Sequence, residues 1–196
     1  IDVAAFDKTG TITEGLPEVE DVINYGISEN ELVRLVASVE KNSNHPIAKA
    51  IVRKADEMNL ELNQTDLFEN VTGRGLKAQI DGKNILAGNK KLLESQNIEI
   101  PQSVLDEYEG LENLSKTIIL VAVDLEVKGI LSLSDKIKAN SKRTIEELHN
   151  MGIETYMLTG DNQKTALNVA REVGIDNVKA GVLPENKLDV INLIVL

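Results

Sequence analysis

The chain has 196 residues, of which 42% are hydrophobic and 27% charged, with a formal net charge of −11, two histidines and no cysteine. That length and apolar share suit one large domain or two small ones, each with a buried core. The charge argues against non-specific binding to nucleic acid or an anionic membrane surface, and the missing cysteines exclude disulfides and thiolate metal sites. With two histidines a His-rich metal cluster is excluded as well. Local backbone dipoles still leave room for an anionic ligand. The longest uninterrupted apolar run, residues 118–123, is far short of the roughly 20 residues a membrane-spanning helix needs. The chain opens on Ile1 and stops within VINLIVL, so both ends read as cut from something longer, and a cytosolic setting fits.

The first element is a continuous apolar strand, DVAAFD at 2–7, which delivers Asp7 into the polar loop KTGTIT. Ser28 and Glu31 form a capping box, and Leu32, Leu35, Val36 and Val39 after them recur at helical spacing. Pro46 suits the first turn of a second helix, with Ile47, Ala50 and Ile51 on one face. GLKAQIDGKNILAG at 75–88 alternates around Asp81-Gly82, which predicts a hairpin. GNKKLL at 88–93 reads as structural. TIILVAVDLEVKGILSLS at 117–134 predicts a second hairpin turning near Asp124.

Beyond it the pattern changes. A helix over about 139–150 carries Ile145 and Leu148 and stops at Met151-Gly152. The strand ETYML (154–158), the loop TGDN (159–162) and a helix with Ala166, Val169, Ala170 and Val173 on one face follow, with Gly174 past its end. VKAGVL (178–183) predicts another strand, and ENKLDVINLIV another helix. Short helix–strand alternation predicts a parallel sheet covered by helices. The first strand matches this zone in style and is expected to join its sheet. The expected architecture is therefore α/β: a parallel-sheet domain from residues 1–16 and 133–196, interrupted by an α+β domain with an antiparallel sheet at 17–132.

Ligands of parallel sheets sit beyond the carboxyl ends of the strands. Three polar loops are expected to converge there: Asp7–Thr11, Thr159–Asn162 and Pro184–Lys187. An aspartate at such a strand end, beside Lys8, can attack phosphorus and form an acyl phosphate. Lys187, Thr159 and the amides near Gly160 could surround the anionic group being transferred. Each feature alone also has a plainer reading: Asp7–Gly10 as a turn, Asp161 as a helix cap, Lys187 as a solvated charge, and His45 as a helix-start residue. His149, near a helix end, reads as a surface residue. The conjunction of the three loops in this order favours phosphoryl chemistry.

DKTGTIT at 7–13, MLTGDN at 157–162 and LPENK at 183–187 closely resemble the signature segments of P-type ATPases, ion pumps whose phosphorylation domain has the haloacid dehalogenase-like fold. The resemblance covers essentially the whole chain, as the cytosolic phosphorylation and nucleotide-binding domains. It implies that Asp7 is phosphorylated by ATP, that Lys8 and Thr9 contact the phosphate, and that Thr11 lines the site. Mg²⁺ would be held by Asp7 and the Thr9 carbonyl. Thr159, Gly160 and Asp161 would complete the phosphate and nucleotide site, Lys187 would neutralise developing charge, and Asp135 and Lys138 would lie near ATP. Hydrolases of this fold place a second aspartate two residues after the nucleophile. Thr9 stands there and cannot act as a carboxylate base, so the acyl phosphate should be slow to hydrolyse.

SNHPIAKAI at 43–51 and GRG at 73–75 resemble segments of the heavy-metal-transporting subgroup, implying that Glu40, His45, Gly73 and Gly75 hold the adenine and ribose of ATP. Position 44 is Asn where many relatives carry Glu. By the same resemblance the whole protein is a membrane pump with this part on the cytoplasmic side. Its partners are transmembrane and actuator domains of the same polypeptide, and its cargo is copper or silver first, zinc or cadmium next. The family's last Mg²⁺ loop is expected shortly after Leu196, so this segment alone should phosphorylate weakly and leave a raw sheet edge. A soluble phosphatase of the same fold and a non-catalytic nucleotide sensor are the alternatives.

Overall fold

In chain order the elements are β1 (Val3–Asp7), a tight loop (Lys8–Ile12), β2 (Thr13–Asn24), α1 (Glu29–Glu40), α2 (Pro46–Glu57), β3 (Leu67–Val71), β4 (Gly75–Ile80), β5 (Lys83–Gly88), α3 (Lys90–Ser95), α4 (Gln102–Asn113), β6 (Thr117–Val123), β7 (Glu126–Ile137), α5 (Ser141–Asn150), β8 (Glu154–Leu158), α6 (Gln163–Val173) and β9 (Asn177–Lys179). They come from a computed structural model that describes residues 1–182, 186 and 190–192. The chain divides into two units, residues 1–16 with 135–196, and residues 17–134, and it passes between them within β2 and β7.

In the 17–134 unit a six-stranded sheet runs in the order β2-β7-β6-β5-β4-β3, antiparallel from β3 through β7. Both hairpin turns have the positive φ that such turns need: Asp81 at 50° and Gly82 at 77°, then Asp124 at 48° and Leu125 at 73°. The apolar run in β6 has a specific cause. Ile119 and Val121 pack with Leu131 and Leu133 against α1 and α2, through Leu32, Val36 and Ile51. Leu120 and Ala122 pack with Ile130 against α3 and α4, through Leu92, Leu93, Val104 and Leu111. Side chains alternate across a strand, so a run without alternation marks a strand covered on both faces. The capping box forms in half: Ser28 Oγ accepts from the Glu31 amide at 3.2 Å. β2, β3 and α4 have no strong sequence pattern, and β3 is an exposed edge, with Leu67 66% and Phe68 53% accessible.

Lys116 ties this sheet together. Its Nζ lies 2.8 Å from Glu20 and 2.6 Å from Asp21, Ser134 donates to Glu20 at 2.6 Å, and Ser132 donates to Asp21. Burial opposes ionisation of both carboxyls, yet the Lys116 and serine hydrogen bonds outweigh it and hold both below the usual carboxylate range.

In the other unit β1, β8 and β9 form a parallel sheet with β8 central. The β1–β8 register runs from Val3 opposite Glu154 to Asp7 opposite Leu158. Ile145 of α5, Ala166, Ala170 and Val173 of α6, and Met157 of β8 form its core with Ile12. Gly174 ends α6 with φ 85°, its amide bonding Ala170 O at 2.8 Å. The α/β expectation holds, with a parallel sheet in one unit and an antiparallel sheet in the other. The predicted strand at 178–183 is shorter, ending at Lys179. Most of the predicted helix from Glu185 lies outside the described residues.

His149 is exposed, as expected, and has two bonded partners. Its Nε2 sits 2.9 Å from Asp176 and 3.0 Å from Thr155 Oγ1, while the Thr155 amide donates to the same Asp176 oxygen at 3.0 Å. The Thr155 amide above all holds the Asp176 carboxyl below the usual range, against the opposing effect of burial and with help from the Thr155 hydroxyl and His149. A depressed native pKa stabilises above the unfolded pKa and loses that contribution as pH falls through the native one. Asp176→Ala is therefore expected to cost about 1 kcal/mol near neutral pH. The difference from wild type should shrink on acidification to pH 3, as read by urea unfolding at both values.

Candidate functional site

The parallel register brings two of the three expected loops to one end of the sheet. Asp7 closes β1 opposite Leu158, and Thr159 follows directly. Asp7 is exposed, whereas Lys8 beside it is buried at 8% accessibility. A buried lysine needs a counter-charge, and Lys8 Nζ finds it at Asp161 Oδ2, 2.5 Å away. Asp161 is available because the helix cap is its neighbour: Asn162 Oδ1 accepts from the Thr165 amide at 3.0 Å at the start of α6. The Asp161 amide donates to Thr159 Oγ1 at 3.1 Å and its carbonyl accepts from the Gly181 amide at 2.8 Å. Thr159, 2% accessible, bonds through its amide to Lys179 O and through its carbonyl to the Val182 amide. Gly160 is exposed between them. The Lys8 ammonium thus faces the second loop, and the family resemblance had pointed it at the phosphate.

The loop after Asp7 turns sharply, with Gly10 at φ 76° and Thr9 extended at φ −73°, ψ 122°. Its stem closes where the Thr13 amide bonds Lys8 O. Thr13, fully buried, places its hydroxyl 2.6 Å from Asp135 Oδ2, and Asp135 Oδ1 accepts from the Gly15 amide at 2.8 Å. Lys138 donates from its amide to Ile12 O at 3.0 Å and from Nζ to Gly10 O at 2.5 Å. Ser141 Oγ donates to Ile12 O at 2.7 Å. Of the two residues expected beside ATP, Lys138 holds the backbone of the loop that follows Asp7, and Asp135 holds the start of β2. Thr13 and Ser141 were missed from sequence, since a serine at a helix start reads as a cap. Thr11 is exposed and, with Glu14, Lys138, Asn140 and Ser141, lines a cavity of about 360 Å³ whose floor includes Phe6.

Among the described residues no three His, Cys, Asp or Glu side chains gather to hold a metal. Mg²⁺ does not need such a cluster: it binds through one or two carboxylates and completes its shell with water and substrate phosphates. The exposed Asp7 carboxylate and the Thr9 carbonyl are hard oxygen donors of that kind. Lys187 lies outside the described residues.

In the 17–134 unit Glu40 is the last residue of α1 and Gly75 the first of β4. Their neighbours Val39 and Leu76 share one apolar cluster. His45 caps α2, its Nδ1 accepting from the Ile47 amide at 3.3 Å. A neutral ring with Nδ1 accepting carries its proton on Nε2, which then faces outward as a donor. Gly73, exposed at φ 69°, accepts at its carbonyl from Asn89 Nδ2. Gly75 lies opposite Gly88 in the β4–β5 ladder.

Burial pushes the Glu40 carboxyl up to about 7. A raised native pKa stabilises below the unfolded value and loses that contribution as pH rises through the native one. Between pH 5 and pH 8 wild type should lose about 1–2 kcal/mol that Glu40→Gln retains, the full shift being discounted for partial exposure. Denaturant titration of both proteins at the two pH values checks this.

A family model described as haloacid dehalogenase-like hydrolase matches residues 1–195. A copper-exporting P-type ATPase of Staphylococcus aureus (strain JH9) is 45% identical over 187 residues, which cover 95% of this chain and 23% of that protein. The crystal structure of a zinc-transporting PIB-type ATPase in its E2.Pi state superposes with a TM-score of 0.88 at 34% identity, covering 99% of this chain and 31% of that one. The catalytic domain of the CPx-ATPase CopB-B, studied for conformational changes on nucleotide binding, gives a TM-score of 0.69 at 27% identity, over 99% of this chain and 66% of that one. The chain thus spans about a quarter of the length of the curated relative.

Proposed function

Because the chain belongs to the haloacid dehalogenase-like hydrolases and, within them, to the heavy-metal P-type ATPases, we propose that it is the ATP-binding, phosphorylated part of a cation pump. A carboxylate oxygen of Asp7 attacks the γ-phosphorus of ATP. The new C–O–P linkage forms as the bond from γ-phosphorus to the β,γ-bridging oxygen breaks, and ADP leaves. Thr159 and the Gly160 amide lie at the same end of the sheet to receive phosphoryl oxygens, and Lys187 would neutralise the developing charge. Asp7 and the Thr9 carbonyl would hold Mg²⁺, which supplies charge neutralisation at the phosphates. Glu40, His45, Gly73 and Gly75 would hold the adenosine end.

The observation that carries this reading is the meeting of the Asp7 and Thr159 loops, set by the β1–β8 register and joined by the Lys8–Asp161 ion pair. Thr9 weighs against a soluble phosphatase, because no carboxylate stands two residues after Asp7 to activate water. Copper or silver is the favoured cargo, since the copper-exporting relative is 45% identical and the zinc-transporting one 34%. The full-length protein would add transmembrane and actuator domains, with this part on the cytoplasmic side. No helix among the described residues is long and apolar enough to cross a membrane.

Full-length protein given γ-labelled ATP should acquire an acid-stable label that hydroxylamine removes, as an acyl phosphate does. Protein that binds ATP yet takes up no label would be a nucleotide sensor, and the proposal would fail.

A further inference from the structure

We propose that Ser141 is a positioning residue for phosphoryl transfer at Asp7, acting through the Ile12 carbonyl; this rests on the function proposed above. Helix starts commonly use a serine, threonine, asparagine or aspartate side chain to cap their own free amides. At the start of α5 neither candidate does so: Asn140 makes no side-chain cap bond, and Ser141, 7% accessible, sends its hydroxyl to Ile12 O at 2.7 Å. Hydrogen-bond satisfaction of Ile12 O does not require this, because that carbonyl already accepts from the Lys138 amide at 3.0 Å. The helix therefore forgoes a stabilising cap while a loop carbonyl gains a second donor. A local rule broken without local benefit is the mark of a functional constraint.

The geometry gives the constraint its content. Ile12 and Gly10 belong to the loop that leaves Asp7, and the 138–141 strap holds both of their carbonyls, Gly10 O through Lys138 Nζ. Loop and strap together border the cavity of about 360 Å³ that Thr11, Ile12, Lys138, Asn140 and Ser141 line. The Ile12 side chain is packed in the core of this unit, whereas Gly10 and Thr11 are exposed, so hydrogen bonds to the Gly10 and Ile12 carbonyls hold the outer turn of the loop. A nucleophile displaced by a fraction of an ångström loses its in-line approach to phosphorus. Removing the Ser141 hydroxyl should therefore slow transfer without weakening ATP binding.

The test uses the full-length protein and rapid-quench labelling with γ-labelled ATP, with ATP affinity measured separately by titration. Ser141→Ala should lower the single-turnover rate of acyl-phosphate formation about tenfold at saturating ATP, with ATP affinity unchanged. Ser141→Thr, which restores the hydroxyl, should return to within about threefold of wild type. A Ser141→Ala rate equal to wild type overturns the proposal, as does a threonine variant that folds and is as slow as the alanine one. Asp7→Asn run in parallel separates the two layers. If it abolishes the label while Ser141→Ala labels normally, only the positioning role fails. If it still labels, the phosphorylation site is elsewhere and both readings fall.

Discussion

Asp7→Asn is expected to reduce phosphate labelling of the full-length protein by about 10³-fold or more, to background, because an amide oxygen is too poor a nucleophile to displace ADP. Nucleotide affinity should persist, since the residues assigned to adenosine lie in the 17–134 unit and Asp7 in the other. Stability should change by no more than about 0.5 kcal/mol, as is usual for an exposed, nearly isosteric substitution. Three measurements separate the outcomes: acid-quenched label, ATP titration and thermal unfolding. Label that survives the substitution would end the mechanism. Loss of label together with loss of the folded state would point to Asp7 as part of the framework. Lys8→Ala should behave differently. It leaves Asp161 without its cation in a site where Lys8 is 8% accessible, so it should destabilise as well as inactivate.

The second large effect separates two glycines that look equivalent in the sequence. Gly75 has φ 139°, and a Cβ built on it runs into the Ala87 carbonyl oxygen and Gly88 Cα, both backbone atoms of the neighbouring strand. Neither can rotate away, so Gly75→Ala should cost more than about 3 kcal/mol and unfold much of the 17–134 unit. Gly73 has φ 69°, and its added Cβ meets nothing within 4 Å. Gly73→Ala should cost only about 1–2 kcal/mol of left-handed backbone strain. Denaturant titration of both variants, with ATP titration of whichever folds, tests the contrast. An alanine at position 75 that folds like wild type and binds no ATP would make that glycine a ligand contact in place of a requirement of strand pairing.

These two positions also show what was legible. GRG reads as a place where a ligand approaches the backbone; the hairpin at Asp81-Gly82 sets Gly75 opposite Gly88, but how closely the Ala87–Gly88 backbone crowds Gly75 shows only in three dimensions. The elements with strong periodicity or turn chemistry were readable: both hairpins, the Ser28 cap, and the alternation that builds β8 and α6. β2 escaped because its half-buried, charge-rich sequence TEGLPEVEDVIN has no clean period, and its acidic residues find Lys116 only in three dimensions. In the site, Asp7, Thr159 and Asp161 could be grouped from their places at strand ends. The pairing of Lys8 with Asp161 could not, because it depends on Asn162 taking over the cap. Asp135, Lys138 and Ser141 carry ordinary side chains whose partners lie over a hundred positions away. No local spacing encodes such contacts.

The first strand is made long before its partner. β1 leaves the ribosome before β8, which begins at Glu154 and emerges only after the whole middle of the chain. Closing so long a coil is entropically costly and slow. Folding of residues 17–134 during synthesis shortens the search, because it fastens Glu20 to Ser134 and leaves only short tethers at either side. A nascent chain halted before residue 154 would carry an apolar, unpaired β1 as a sticky edge. Translation pauses or truncations in that window should send the protein to aggregates or proteases, even though the 17–134 unit has already reached its native shape.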